Sequence, residues 1–484
     1  MEELNVVKAS FFNSAQELNN KFQQFNDFLS WFDQKGKNYF SVEEVPFKSL
    51  DQWYFTDNKD SLVHNSGKFF KIEGIRVKTN FGNVPEWEQP IINQPEIGIL
   101  GILTKVIDGV RYFLMQVKME PGNVNILQLS PTVQATKSNF SRVHKGKLPA
   151  YLEYFVDPGK SKILIDQLQT EQGGRFLRKR NRNMVVEVNE EVEVCDDFCW
   201  LTLGEIKNLL KIDNFVNMDA RSVISTIPIV DDSLIEQLQH CNLRDSESIR
   251  INNKIYNDVN FDLLASSATQ ISSVSSKDQI ISWYTEMKVK YELNTTKIPL
   301  SDLINWKISD EEIAIDDRFF SVIGVKVHAG TREVTSWTQP LIKDHNVGLL
   351  GFMAQKKDGI LHFLVQAKVE PGNLDVIELS PTVSCSNYYY LIQNPEKRPP
   401  FFDLFIETNS SVRILMNTIQ SEEGGRFYQM QNRNMIIVVN DSVEMSTPEN
   451  YCWMTLNQMM DFMRYSMFNI EARSLISSIN FNNQ

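Results

Sequence analysis

Between Arg111 and Glu120, "RYFLMQVKME", apolar and polar side chains alternate as in a strand with one face in a core. Phe113, Met115, Val117 and Met119 share one face. Tyr112, Leu114, Gln116, Lys118 and Glu120 share the other, which ends in three polar residues. Pro121 and Gly122 suit the centre of a tight turn, because Pro fixes φ and Gly accepts positive φ. The chain then returns along "VNILQLSPTV", which is expected to set Gln128, Ser130 and Thr132 on the polar side beside Gln116 and Lys118. Either that face meets solvent, as antiparallel sheets allow, or it lines a pocket.

The same periodicity predicts the neighbouring elements. "AQELNNKFQQFNDFLSWF" has the apolar spacing of an amphipathic helix. Strands are expected at "FFKIEGIRVKT", "GILGILTKV", "NILQLSPTV" and "NMVVEVNEEVEV". The Asp-Gly pairs in "KVIDGVRYF" and "KKDGILHF" are strong hairpin signals. "LTLGEIKNLLKI" predicts a helix whose Thr202 and Glu205 form a capping box. The fold class is α+β, with mostly antiparallel or mixed sheets and flanking helices.

This pattern occurs twice. "EPGNVNILQLSPTV" returns as "EPGNLDVIELSPTV", "TEQGGRF" as "SEEGGRF", "CWLTL" as "CWMTL" and "ARSVIS" as "ARSLIS", at offsets of 250 to 253 residues. A period this long means duplicated domains rather than a solenoid. The expected units are 1–227 and 276–484, packed about a pseudo-twofold axis. Between them 228–275 reads as a polar linker, flexible around "SSATQISSVSSKDQ", with a short helix over 232–241. The flanks have diverged, yet Gln116, Lys118 and Glu120 return as Gln366, Lys368 and Glu370. That retention favours the pocket wall over a solvated face.

Composition narrows the partners. A chain of 484 residues with 42% hydrophobic and 23% charged residues is a globular protein of more than one core. A formal charge of −12 argues against a general nucleic-acid binder. No apolar run is long enough to span a membrane, and the polar, acidic N-terminus does not read as a signal peptide. Cys195, Cys199, Cys241, Cys385 and Cys452 are odd in number, and one CxxxC is a weak metal signal. A cytoplasmic protein with free thiols, no metal and no cofactor is expected.

The block "QVKMEPGNVNILQLSPTVQATKSNFSRVHKGKLPAYLEYF", with "EQGGRF", "NRNM" and their second copies, resembles the NDP-hexose 2,3-dehydratase family over nearly the whole chain. The resemblance implies tandem Nudix-like folds, a homodimer, and a nucleotide-linked 4-keto-6-deoxyhexose substrate, most commonly on dTDP. It also implies loss of water across C2 and C3 on the way to 2,6-dideoxysugars. The sequence has no Nudix box, which fits an elimination that needs no metal. Fold alone does not settle the chemistry.

Such an elimination needs a base for the C3 proton, a donor for the enolate at O4 and an acid for the departing C2 hydroxyl. Glu120 is a candidate base or acid, and Lys118 a candidate enolate donor; the alternative is a surface ion pair. His144 is a candidate base or acid, with Arg142 and Lys145 candidates for the diphosphate. Gly173, Gly174, Arg175 and Arg182 suit an anion, through close backbone approach and paired donors. Their return as Arg426 and Arg433 equally allows a structural role. Trp87 is a candidate for stacking on the base, or a core residue like Trp337. Gln116, Asn123, Gln128, Thr132 and Asn139 are candidates for sugar or phosphate contacts.

The second copy keeps Gln366, Lys368, Glu370 and Asn373 but has no histidine matching His144. Its "RFYQMQNRN" lacks three positive charges of "RFLRKRNRN". Turnover is therefore expected in the first copy, with the second structural or binding nucleotide unproductively. A non-catalytic nucleotide-sugar binder and a Nudix-type pyrophosphate hydrolase are the competing readings.

Overall fold

The computed structural model describes residues 2–136, 148–228, 230, 235, 248–251, 254–268, 274–315, 319–330, 334–406 and 410–481. Each copy builds a seven-stranded mixed sheet. In the first, the order runs Lys162–Thr170, Arg180–Glu187, Gly98–Ile107, Val110–Met119, Phe198–Thr202. Leu127–Ser130 flanks Val110–Met119, and Val133–Ala135 flanks Gly98–Ile107. The pairing of Arg180–Glu187 with Gly98–Ile107 is parallel and the others are antiparallel. The second copy repeats this sheet with Val412–Ser421, Gln431–Val439, Gly348–Lys357, Ile360–Lys368 and Tyr451–Met454 at its centre.

The hairpins form where Asp-Gly predicts them. Asp108 and Gly109 have φ of 51° and 82°, and Asp358 and Gly359 have 48° and 79°, as a two-residue turn matched to strand twist requires. Phe113, Met115, Val117 and Met119 are buried with Leu129, Leu201, Ile206 and Val223. Tyr112 and Leu114 pack on the opposite face against Tyr151, Phe155 and Trp200. Both faces of the sheet are thus covered, and Gln116, Lys118 and Glu120 lie past the apolar part of the second face. Thr202 and Glu205 close their capping box on the helix Leu203–Leu209, and Thr455 does the same with Gln458 for Leu456–Met463.

Three expectations change. The first helix is two, Glu2–Gln16 and Phe25–Gly36. Asn20 interrupts it: its side chain accepts from Phe22 N and donates to the Trp200 carbonyl and Glu205, offering the backbone a non-helical alternative. The strand read through "NMVVEVNEEVEV" stops at Glu187, which pairs with Lys162, the first residue of its partner strand. The segment 228–275 is more than a linker. Its described part holds the hairpin Ser248–Ile251/Lys254–Asn257 and the helix Asp258–Ala268, with Phe261, Leu264 and Ala268 in the second copy's core. Ser266 bonds the Leu361 carbonyl and Leu456 N as Ser14 bonds the Arg111 carbonyl and Leu203 N. That helix is therefore the counterpart of Glu2–Gln16. Apart from Ile235, the helix expected over 232–241 lies outside the described residues.

The two copies trade strands. Phe40–Val45 of the first pairs antiparallel with Ser321–Ala329 of the second, while Leu293–Ile298 of the second pairs with Lys71–Thr79 of the first. A shared core follows, where Phe47, Leu50 and Trp53 meet Leu300, Leu303 and Phe320, and the Phe176 and Phe427 rings lie 5.8 Å apart. The helices Met218–Ser225 and Ile470–Ser477 meet at the other contact. Arg221 bonds Ser474 Oγ at 2.7 Å and the Ser421 carbonyl; Arg473 bonds Ser222 Oγ at 3.2 Å and the Thr170 carbonyl at 2.6 Å. These reciprocal contacts are those of a pseudo-twofold pair.

Candidate active site

The EPGN turn of each copy docks into the GGRF turn of the other. Gly122 N donates to the Gly424 carbonyl at 2.8 Å, and Gln429 N donates to the Gly122 carbonyl at 2.7 Å. Gly372 makes the same two bonds with the Gly173 carbonyl and Arg178 N. A side-chain carbon on Gly122 would run into the Phe427 carbonyl, and one on Gly372 into that of Phe176. Glycine is required there because backbone meets backbone.

This interlock regroups the candidate residues crosswise. Gly173 lies against Asn373 and Glu370, and Trp87 reaches the same turn through Gln89, whose amide donates to the Gly174 carbonyl. Trp87, Gly173, Gly174 and Arg175 therefore accompany Lys368 and Glu370, not Lys118 and Glu120 as expected. Around Lys118 and Glu120 stand Trp337, Gln339, Glu423, Gly425 and Arg426 of the second copy.

There they line a cavity of about 940 Å³, ample for a nucleotide sugar. The register sets Lys118 opposite Gln128 and Gln116 opposite Ser130, as expected. Lys118 Nζ lies 2.9 Å from Glu120 Oε1 and donates to Gln134 Oε1 at 2.8 Å; Gln134 Nε2 donates to Glu120 Oε1 at 3.1 Å. Glu120 is only 4% exposed, so this is not a surface ion pair. Aromatic walls come from Trp53, Phe69, Phe70 and Trp337, with His64 between them. Arg426 lies over the Phe70 ring and donates to Gln94 Oε1 at 3.1 Å.

Three more carboxyls gather around Glu120, two of them, Glu423 and Asp219, on the cavity wall. Glu171 accepts from Asn181 Nδ2 at 2.7 Å, and burial with the charge of Glu423 pushes its pKa up to about 7. Burial also raises Glu423, with Glu120 adding to the effect, although Arg426 opposes it. Asp219, in the first turn of its helix, is raised by burial and then by Glu423, Glu171 and Glu120. Burial lowers Lys179, which donates to the Glu96 carbonyl.

Other predicted residues do structural work. Gln128 is fully buried and bonds Ser421 Oγ across the two copies at 2.6 Å. Thr132, in the link between Leu127–Ser130 and Val133–Ala135, accepts from Leu103 N and donates to the Leu114 carbonyl, tying two strands. Asn123 donates to the Ile126 carbonyl within its turn and sits against Gly424. Arg182 pairs with Asp166 at the surface, and Arg433 bonds Asn417 and Tyr388. Asn139, Arg142, His144 and Lys145 lie outside the described residues; Thr136, the last described residue before them, is on the cavity wall.

The matching group in the second copy differs in charge. Lys368 lies 3.0 Å from Glu370, with Ser384 in place of Gln134. Arg175 is paired with buried Asp344 at 3.5 Å, where the first cavity has neutral Gln94. Gln172 stands where the first cavity has Glu423, and Met430 where it has Lys179. Glu423, Glu171, Asp219 and Gln134 were missed as site residues, whereas Lys179 belongs to the basic run "RFLRKRNRN". The contrast of "TEQGG" with "SEEGG" was the available signal for Glu423.

A family model described as NDP-hexose 2,3-dehydratase matches the chain twice, over residues 25–227 and 277–479. The chain belongs to that family. It is 44% identical over 472 residues to the dTDP-4-dehydro-6-deoxy-alpha-D-glucopyranose 2,3-dehydratase of Saccharopolyspora spinosa, covering 97% of this chain and 94% of that one. With the enzyme of the same name from Amycolatopsis orientalis it is 41% identical over 462 residues, covering 94% and 90%. With that of Streptomyces violaceoruber the identity is 38%, covering 93% and 96%.

Proposed function

We propose that this chain is a 2,3-dehydratase of dTDP-4-dehydro-6-deoxyglucose, working in the cavity of Lys118 and Glu120. Family membership supports the reaction class; the buried Lys118–Glu120–Gln134 group facing the 940 Å³ cavity is the observation that carries the site. The C4 ketone acidifies the C3 proton. Glu120 takes that proton, and Lys118 holds the negative charge that develops on O4. The electron pair forms the C2–C3 double bond as the C2–O bond breaks, and the hydroxyl leaves with a proton as water. The C3 enol then becomes a ketone, so the product is a 3,4-diketo-2,6-dideoxy sugar.

Trp337, Trp53 and Phe70 suit the base, and Arg426 and Lys68 on the same wall suit the diphosphate. Arg142, His144 and Lys145 keep their proposed roles on the chain that follows Thr136. The second pocket, with Arg175 already neutralised by Asp344, holds nucleotide less well and does not turn over. Each family-matched segment forms a Nudix-like unit, the enzyme is a cytoplasmic homodimer, and neither nucleic acid nor membrane is a partner.

Mass spectrometry of dTDP-4-dehydro-6-deoxyglucose incubated with the protein, with chelator and a mild trapping reductant, tests the reaction. The expected product is lighter by one water before trapping. Substrate that binds but returns unchanged would rule the activity out.

A further inference from the structure

We propose that Glu423, supplied by the second copy, is the acid that protonates the departing C2 hydroxyl in the first-copy cavity. Its replacement by Gln172 at the matching place would then be what silences the second. The inference rests on the dehydratase reading and concerns a group which that reading leaves unassigned. Glu120 cannot give the C2 hydroxyl a proton while it is taking the one from C3, so a separate acid is needed unless Glu120 hands the C3 proton itself on to the hydroxyl oxygen.

The geometry supplies one. A methyl placed on Gly425 would sit 3.1 Å from Glu423 Oε1 and 4.0 Å from Glu120 Oε1. The two carboxyls therefore reach the same stretch of cavity wall from different copies, Glu120 on the hairpin and Glu423 on the docked turn. Behind Glu423 stands buried Glu171, held by Asn181. Two neighbouring carboxyls do not both ionise readily when one is buried and the other half-buried at a cavity wall, and burial with Glu423's charge raises Glu171 to about 7, so the pair retains a proton near neutral pH. At the second site the amide of Gln172 donates to Glu422. That amide satisfies its carboxylate partner and has no acidic proton to deliver.

Proton flow is then balanced. The C3 proton goes to Glu120 and leaves an enolate at O4; its electron pair then forms the C2–C3 double bond, and the C2–O pair leaves with the proton of Glu423 as water. Before the next turnover Glu120 releases the C3 proton to solvent and the spent Glu423 carboxylate regains one from it.

Glu423→Gln in the full-length protein is the test, because Gln172 shows that this turn accommodates glutamine beside a buried glutamate. With dTDP-4-dehydro-6-deoxyglucose in D₂O, water loss should fall at least about 100-fold while the sugar still binds within about threefold. Deuterium should still enter C3 of the recovered substrate, since its removal does not need Glu423. Glu120→Gln should lose both water release and deuterium entry. Should Glu423→Gln not fold, Glu423→Asp keeps the acid one methylene further back; an intermediate fall in water release with C3 exchange intact is expected. Water loss within about tenfold of wild type in Glu423→Gln, or at the full wild-type rate in Glu423→Asp, would overturn the assignment. So would loss of C3 exchange in a variant that still binds. If the wild type releases no water, the dehydratase reading falls and this inference with it; a working wild type beside an equally active Glu423→Gln removes this inference alone.

Discussion

Glu378 and Gln128 occupy matching positions of the two "LSPTV" strands, and each reaches across to the other copy. Gln128 meets Ser421 Oγ, and Glu378 accepts from Thr170 Oγ1 at 3.0 Å. Burial pushes the Glu378 carboxyl up to about 8, so at neutral pH it is largely protonated, a near equivalent of the amide opposite. A carboxyl raised above its unfolded value of 4.5 lends stability that is full below that value and lost as pH rises through 8. Thermal unfolding of Glu378→Gln should therefore match wild type near pH 5 and exceed it at pH 9 by roughly 2 °C or more. Parallel pH curves for the two proteins would show that Glu378 is not titrating there. At this scale sequence reading was half right. Periodicity assigned Gln128 and Thr132 to faces of a strand, but it cannot tell a pocket from a partner surface packed on that face, and both residues proved to be ties between strands and copies.

Among the elements, the recurring EPGN phrase has a structural cause. Pro-Gly was legible as a turn, and GGRF as a place of close backbone approach. What approaches closest there is the other copy's main chain, since each glycine turn receives the EPGN turn of its counterpart. Gly122→Ala should cost at least about 3 kcal/mol, because the added carbon meets the Phe427 carbonyl and rigid backbone must move. A denaturant titration gives the answer: an unchanged midpoint would mean that the interlock is looser than described. Elements with local causes, such as the Asp-Gly hairpins and the Thr202 capping box, were readable in full. The split first helix was not, because Asn20 acts through Trp200 and Glu205, far away in sequence.

The whole molecule is two copies that cannot be separated without dismantling both sites. Strands Phe40–Val45 and Leu293–Ile298 lie in each other's sheets, Arg221 and Arg473 cross between the paired helices, and the cavity at Glu120 takes part of its wall from residues after 330. The duplication was plain in the sequence, and with it the α+β class and the family. The exchange was hidden, since a repeated motif looks the same whether it serves its own copy or its neighbour. For that reason Arg175 and Gly173 were grouped with the wrong hairpin, while the differences that set the two sites apart, Glu423 against Gln172 and Gln94 against Asp344, went unread. The central claim is that only the cavity of Lys118 and Glu120 turns substrate over. Side-by-side rates of water loss for Glu120→Gln and Glu370→Gln test it most directly. The account predicts a fall of about 100-fold or more for Glu120→Gln and less than about tenfold for Glu370→Gln; equal losses in the two, or the reverse order, would contradict it.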